Sequence, residues 1–221
     1  MKLELNASVM CADFGSLASE INLLEEAGID SFHIDIMDGR FVDNFAMSLC
    51  DLRYIARVAA RPLDVHLMIE HPRVHIEKFL KLIRPGDTVY IHAESEYHPS
   101  TTLNRIIEAG MVPGVAINPC TSIESVKEIA CIAKKVMVMM VDPGEAGKPY
   151  LPFVADKIKR LIDLKESLGI KIYLDGACND ARILSYARLG VDGFVLGTNA
   201  LFNGNRDYIN KMENLRNLAR L

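Results

Sequence analysis

The sequence predicts an α/β protein that folds as a single (β/α)8 TIM barrel over residues 1–221. Predicted strands and helices alternate eight times with no linker between them, which is the pattern of such a barrel. Four predicted helices end at a glycine just before the next strand, at Gly28, Gly110, Gly169 and Gly190. Glycine suits the left-handed backbone that ends a helix. A doubly wound sheet is the alternative, but no G-x-G-x-x-G motif follows the first strand.

The eight strand–helix units follow one another along the whole chain. The predicted strands are 3–10, 31–36, 62–68, 88–92, 112–117, 135–141, 170–174 and 193–196. The predicted helices are 16–27, 49–59, 74–82, 100–109, a helix that begins at Ser122 or Ile123, 152–168, 179–189 and 207–221. This spacing leaves no segment for a second domain.

Composition excludes several classes of protein. Half of the residues are hydrophobic and the net charge is −4 without a basic block, so nucleic acid is not an expected partner. The five cysteines are scattered without a C-x-x-C pair, which is typical of a reduced cytoplasmic protein. The first residues alternate as a strand rather than forming a signal peptide. No apolar run reaches the ~18 residues of a membrane span, so we expect a cytoplasmic protein with no membrane partner.

The most informative segment is SFHIDIMDGRFV, residues 31–42. Alternate side chains of a strand share a face, so His33 and Asp35 point one way and Phe32, Ile34 and Ile36 the other. An imidazole and a carboxylate are costly to bury together. They form either a satisfied polar pair in the core or half of a metal site, and this segment alone does not decide between the two.

Residues at the ends of other strands favour the metal site. His66 ends the third strand and Asp175 follows the seventh, and strand C-termini converge on one mouth of a barrel. Each alone has an ordinary explanation, His66 as a barrel-filling histidine and Asp175 as a capping residue. Together with His33 and Asp35 they form a plausible N2O2 ligand set for one divalent metal ion, which would be Zn, Fe(II), Mn or Co.

Asp35 and Asp175 have a second possible role. Two carboxylates on opposite sides of a pocket can remove a proton from one face of a carbon and return one to the other face. A metal that bridges an adjacent carbonyl and hydroxyl would stabilise the enediolate between those steps. This arrangement inverts a stereocentre next to a ketone.

Three late loops are candidates for phosphate binding, because small residues let backbone N–H groups approach an anion. They are Pro143 to Gly147, Asp175 to Ala177, and Gly197 to Asn199, and the last two are expected to run into helix N-termini. The charge of Glu145 would oppose a phosphate unless it points outward, and Lys148 is available to compensate.

Three methionines are expected either to fill the core or to form an apolar pocket wall, namely Met37, Met68 and Met139.

Several motifs together resemble the ribulose-phosphate 3-epimerase family over nearly the whole chain. They are Ser8 with Ala12-Asp13-Phe14, HIDIMDGRFV, PLDVHLMIEHP, VDPGEAGKPY, LDGA and GTNALF. The resemblance implies a ribulose-phosphate-binding barrel and a metal-dependent enzyme that inverts C3 of a small phosphorylated ketose. It implies the ligands His33, Asp35, His66 and Asp175, with Asp35 and Asp175 as the acid/base pair. The implied substrate and phosphate contacts are Ser8, His66, Gly144, Glu145, Ala146, Gly147, Asp175, Gly176, Ala177, Gly197, Thr198 and Asn199.

Loop details leave the substrate open between a pentose and a hexose phosphate. Met10-Cys11, Asp142 with Ala146, and Ala177-Cys178-Asn179 are similar to the allulose-6-phosphate 3-epimerase branch of the family. Glu145 and Lys148 depart from the family's usual phosphate loop. The pairs to consider are therefore ribulose 5-phosphate with xylulose 5-phosphate, and allulose 6-phosphate with fructose 6-phosphate.

Two other functions are weighed against the epimerase. A metal-dependent aldolase or decarboxylase would need a positioned lysine in the mouth, and no early strand ends in one. A non-catalytic sugar-phosphate-binding barrel would be favoured by loss of a ligand or of an aspartate, and neither is lost. Apolar positions on the barrel helices predict a homo-oligomer, a dimer or larger.

Overall fold

Eight parallel strands close into a barrel in the computed structural model, which describes residues 3–218. Each strand pairs with its sequence neighbours, and β1 closes the ring by pairing with both β2 and β8. The predicted (β/α)8 barrel is therefore confirmed. The strands are β1 (Glu4–Ser8), β2 (Ser31–Asp38), β3 (Leu63–Met68), β4 (Thr88–His92), β5 (Val112–Ile117), β6 (Lys135–Met139), β7 (Lys171–Asp175) and β8 (Gly193–Leu196).

A helix follows each strand and packs outside the barrel. The helices are α1 (Leu17–Glu26), α2 (Leu49–Val58), α3 (Ile76–Leu80), α4 (Pro99–Glu108), α5 (Lys127–Ala130), α6 (Val154–Leu168), α7 (Asp180–Leu189) and α8 (Tyr208–Leu218). Within the described part of the chain, no helix combines the length and the apolar character that crossing a membrane requires.

Two helices are shorter than the sequence predicts because 3₁₀ turns take their place. Before α3 the chain forms a turn at Pro72–Val74, and before α5 it forms one at Ile123–Ser125, where the Ser122 hydroxyl accepts a hydrogen bond from the Glu124 amide. The predicted helices 74–82 and 122 onward therefore begin later. The end of the predicted helix 207–221 lies outside the described residues.

Strand ends also differ at the mouth of the barrel. β1 stops at Ser8, because Val9–Cys11 turns into a 3₁₀ helix, and β6 stops at Met139 rather than at residue 141. β2 runs two residues further than predicted, to Asp38, because Met37 and Asp38 pair with a short antiparallel strand, Phe45–Ala46. This extension carries the β2 side chains further into the mouth.

The period of two along each strand separates an apolar outer layer from a polar interior. Phe32, Ile34 and Ile36 of β2 belong to the main core between the strands and the helices. The alternate residues of β2 point into the barrel. A one-residue slip of β2 would place His33 and Asp35 among the apolar helices, so the register is strongly fixed.

The N-terminal end of the interior is closed by paired charges. Asp64 accepts hydrogen bonds from Asn6 Nδ2 at 2.6 Å and from Ser31 Oγ at 2.9 Å. Lys135 Nζ lies 3.6 Å from carboxylate oxygens of both Asp64 and Glu4. These charges are thus paired at the end of the barrel opposite the candidate site.

Two glycines make room for aromatic rings in the middle of the barrel. Tyr90 and Tyr173 are fully buried there. A Cβ at Gly193 would lie 2.5 Å from the Tyr173 ring, and one at Gly114 would overlap the Tyr90 ring. The absence of side chains at Gly114 and Gly193 is therefore a packing requirement.

Replacing Gly114 by alanine should lower the free energy of unfolding by about 1–3 kcal/mol, because the new methyl group overpacks the closed interior. Denaturant unfolding followed by circular dichroism measures the change. The same substitution in a Tyr90→Leu background should cost much less. An equal cost in both backgrounds would rule out the ring contact as the cause.

Candidate metal centre and active-site cavity

Neighbouring strands bring the predicted metal ligands together at the C-terminal end of the barrel. His33 and Asp35 are inward residues of β2, and the register between β2 and β3 places Asp35 opposite His66. Asp175 ends β7 and reaches the same point from across the barrel. One donor atom from each of the four residues lies within 4.8 Å of every other.

The spacing of these donor atoms fits a metal ion. His33 Nε2 lies 3.2 Å from His66 Nδ1, and each nitrogen lies 3.2–3.3 Å from Asp35 Oδ1. Ligands at ~2.0–2.1 Å from a tetrahedral ion lie about 3.3 Å apart. Asp175 Oδ2 is further out, at 3.8–4.0 Å from the two nitrogens. The imidazole and carboxylate donors and their convergence both fit a divalent metal.

Charge and burial give the two aspartates different proton affinities. Burial alone would raise the pKa of Asp35, but the charge of His33 and the hydrogen bond from His33 hold it well below its usual range. Burial raises the pKa of Asp175, and the Asp35 charge adds to this against the opposing effect of the histidines. Asp35 is thus the more readily ionised of the pair.

His33 and Ser8 complete the surroundings of Asp35. Burial opposes a charge on His33, but the Asp35 carboxylate outweighs it and raises the His33 pKa to about 9. Ser8 Oγ donates a hydrogen bond of 2.9 Å to Asp35 Oδ2. Ser8, which is predicted to be a substrate contact, is in contact with Asp35 in the structure.

A cavity opens above these groups, and the loops after β6, β7 and β8 form much of its wall. His33 and His66 are fully buried and are not part of its lining. The predicted residues that line it are Ser8, Asp35, Met37, Met68, Met139, Gly144, Glu145, Ala146, Gly147, Asp175, Gly176, Ala177, Gly197, Thr198 and Asn199. The sequence reasoning missed several other lining residues, which include Met10, Cys11, Val141, Cys178 and Val195.

The three methionines predicted for a pocket wall are buried around the cavity, with exposed fractions of 2–6%. Met37 and Met68 are register partners on β2 and β3 and pack together with Val42. Met139 packs with the tyrosines inside the barrel. Both alternatives left open by the sequence therefore apply, since the same side chains fill the core and face the cavity.

The loop after β6 is tied to the loop after β2. Gly144 and Gly147 have positive φ angles of 108° and 84°, and Asn44 Nδ2 donates a hydrogen bond of 2.7 Å to the Gly144 carbonyl. Glu145 is exposed, and Lys148 Nζ donates to the Pro143 carbonyl at 3.2 Å. The lysine thus holds its own loop together.

The loops after β7 and β8 differ from each other. Gly176 and Ala177 both have positive φ angles, 90° and 50°, and such backbone is uncommon for alanine and often marks a functional site. This loop leads into α7, as predicted. The prediction that the last loop also runs into a helix was wrong, because residues 198–201 form turns around the Gly197 carbonyl and α8 begins only at Tyr208.

His92 and Glu94 form a chain of contacts behind His66. His92 Nε2 lies 2.8 Å from His66 Nε2, and His92 Nδ1 lies 3.3 Å from Glu94 Oε2. Burial lowers the pKa of His92 to about 4, so its ring is neutral. The sequence shows that His92 ends a strand near Glu94, but it does not show the contact with His66.

Comparison with known proteins identifies relatives along most of the chain. The family model described as the ribulose-phosphate 3 epimerase family matches residues 4–202. A ribulose-phosphate 3-epimerase of Methanocaldococcus jannaschii is 33% identical over 98% of this chain and 91% of its own length. One of Bacillus subtilis is 34% identical over 89% of this chain and 91% of its own length.

Solved structures with much lower identity share the fold. Phosphoribosyl anthranilate isomerase from Thermococcus kodakaraensis superposes with a TM-score of 0.68 at 13% identity, covering 99% of both chains. A 3-hexulose-6-phosphate synthase gives the same TM-score and identity over 98% of this chain and 99% of its own. At this identity the likeness concerns the barrel alone.

The affinity of the site for Zn²⁺ should rise as the pH approaches about 9 and then level off. Below that pH His33 carries a proton that Nε2 must lose before it can ligate. The expected slope is about tenfold per pH unit for one proton. Chelator competition measures the affinity, and calorimetry in two buffers measures the proton released. A flat profile would mean that His33 is already neutral.

Proposed function

Because the chain belongs to the ribulose-phosphate 3-epimerase family, we propose that it is an isomerase that inverts C3 of a small phosphorylated ketose with the help of one divalent metal ion. The observation that carries this proposal is the pair Asp35 and Asp175. Both reach the floor of one cavity beside two buried imidazoles. Neither the relatives of this chain nor the geometry of these four residues favours a barrel with a purely structural role.

His33, Asp35, His66 and Asp175 would hold the metal ion, which would be Zn, Fe(II), Mn or Co. A divalent ion held there supplies electrostatic stabilisation to the negative charge that develops on the ketose oxygens. The support for this ligand set is the convergence of its donor atoms within 4.8 Å. The fully buried histidines would bind as neutral ligands from below.

Asp35 and Asp175 would transfer the proton. Asp35 would be the proton acceptor in one direction because its carboxylate is held ionised, and Ser8 donates a hydrogen bond to it. Asp175, with its raised pKa, would return a proton to the opposite face of C3. The roles exchange in the reverse reaction. Groups whose environments push their pKa values apart are suited to this division of acid and base.

The cavity wall would protect the enediolate intermediate from water. Met37, Met68 and Met139 offer soft apolar surface and no proton donor. The substrate phosphate would lie against the loops after β6, β7 and β8, where backbone N–H groups and the N-terminus of α7 favour an anion. The contacts proposed there are Gly144, Ala146, Gly147, Gly176, Ala177, Gly197, Thr198 and Asn199, with Glu145 at the rim.

The positions of the lysines disfavour an aldolase or decarboxylase. Lys148 donates to a carbonyl of its own loop, and Lys135 pairs with Asp64 and Glu4 at the other end of the barrel. A non-catalytic binding barrel is disfavoured because both aspartates and both histidines are present and converge. The enzyme is proposed to be cytoplasmic and to occupy residues 1–221 as one domain.

A homo-oligomer, a dimer or larger, also remains a proposal. Its support is exposed apolar surface outside the cavity: Phe45 and Val74 are 79% and 64% exposed. Surface of this kind often marks a contact with another protein chain.

The reaction is tested by incubating metal-loaded protein in D₂O with ribulose 5-phosphate and, in parallel, with allulose 6-phosphate. NMR should show one of them converting to its C3 epimer with deuterium incorporated at C3. Exchange with neither, while a phosphorylated ketose still binds, would favour a binding protein or another substrate.

In the same assay, Asp175→Asn should lower kcat by about 10²–10⁴-fold, because it removes an acid/base group. Asp156→Asn, an exposed change on α6, is the matched control and should leave kcat unchanged. Appreciable epimerisation by Asp175→Asn would contradict the two-base scheme.

Gly197→Val should raise KM for the phosphorylated ketose by roughly 10–100-fold, the loss expected for a charge-assisted hydrogen bond. A Cβ at this position would lie 3.6 Å from Cys11 Sγ, an ordinary contact, so the backbone tolerates a side chain. The larger group would keep the phosphate from the backbone. An unchanged KM would remove this loop from the phosphate site, and Gly197→Ala should show a smaller effect.

A further inference from the structure

The contacts behind His66 fix which of its nitrogens carries a proton. Glu94 is the end of this chain of contacts: its Oε1 accepts a hydrogen bond of 2.8 Å from the Asn118 backbone amide, and its Oε2 faces His92 Nδ1 at 3.3 Å. An ionised carboxylate only accepts hydrogen bonds. His92 must therefore carry its proton on Nδ1.

The same reasoning passes from His92 to His66. A neutral imidazole has one N–H, so His92 Nε2 is an acceptor. It lies 2.8 Å from His66 Nε2 with only 19° between the ring planes. The ring centroids are 4.9 Å apart, which together with the 2.8 Å distance between the nitrogens places both nitrogens almost on the line between the ring centres, as an N–H···N hydrogen bond requires. His66 Nε2 is then the donor, and in neutral His66 the bare nitrogen is Nδ1.

That bare nitrogen faces an oxygen that also has a lone pair. His66 Nδ1 lies 3.2 Å from Asp35 Oδ1, and two acceptors at that distance repel each other unless a positive charge lies beside both, which is either the proton on His33 Nε2, 3.2 Å from the same nitrogen, or a metal ion. The hydrogen bonds that begin at Glu94 therefore leave the lone pair of His66 Nδ1 available to bind a cation. Metal-bound histidines are commonly held this way through their second nitrogen.

We propose that Glu94 and His92 are positioning residues that fix the tautomer of His66, so that its Nδ1 is the metal ligand. The inference rests on the metal site proposed above and extends it to two residues outside the cavity. Neither residue touches the substrate in this arrangement. They act only through the ring of His66.

Glu94→Gln is the informative substitution because it should reverse the chain of hydrogen bonds. The Asn118 amide still needs an acceptor, so the new side-chain oxygen stays there and the NH₂ group turns to His92 Nδ1. His92 would then donate from Nε2, and the proton of His66 would move to Nδ1. Affinity for Zn²⁺ should fall about 10- to 100-fold.

The control is Glu70→Gln, which makes the same change of charge in an exposed side chain that pairs with Arg40. Zn²⁺ affinity is measured by chelator competition for the wild-type protein and both variants, with circular dichroism to check folding. Long-range ¹H–¹⁵N NMR of the zinc-loaded wild-type protein reads the tautomers directly. It should show Nε2–H on His66 and Nδ1–H on His92, and it needs no variant to fold.

The outcomes separate this inference from the metal site itself. If the wild-type protein binds zinc, either unchanged affinity in Glu94→Gln or the opposite tautomer of His92 would overturn the positioning role. Failure of the wild-type protein to bind zinc would overturn the metal site and with it this role. Weaker binding in Glu94→Gln but not in Glu70→Gln, with the expected tautomers, would support it.

Discussion

The structure around the candidate site depends on keeping the Asp35 carboxylate charged while only 4% of the residue is exposed. A buried charge is costly unless it is paired and hydrogen-bonded. Ser8 from β1 and His33 from β2 meet this requirement here, while His66 from β3 brings its Nδ1 to the same carboxylate. The register of three adjacent strands must therefore be correct at once, which ties the chemistry of the site to the closure of the barrel.

Buried carboxylates have different partners at the two ends of the barrel interior. At the N-terminal end, Asp64 and Glu4 are balanced by Lys135 and by hydroxyl and amide donors. At the C-terminal end, two carboxylates meet two imidazoles, and no lysine or arginine is paired with them among the described residues. In the first arrangement the charges are paired with one another without a ligand. The second is arranged to receive a cation. The same strands therefore carry stabilising charge pairs at one end of the barrel and the candidate functional site at the other.

The sequence was sufficient for the fold and for the convergence of the four polar side chains, because both follow from simple periodicity. Alternation placed His33 and Asp35 on one face, and parallel strands brought His66 and Asp175 to the same end. The contact between His66 and His92 could not be predicted, since it depends on ring orientations across two strands. The turns before α3 and after β8 were missed because 3₁₀ turns and helix starts use similar residues.

The difference between residues on strands and residues in loops also explains why the reaction class is easier to infer than the substrate. The floor of the cavity consists of side chains on strands, where each residue has a fixed direction and a specific chemical role. The rim consists of loops in which backbone N–H groups are proposed to bind the phosphate, as at Gly176 and Ala177 with their positive φ angles. Many sequences can present such a backbone. We therefore expect an exposed residue such as Glu145 to influence which sugar phosphate fits, while the proton transfer proposed for Asp35 and Asp175 below it stays the same.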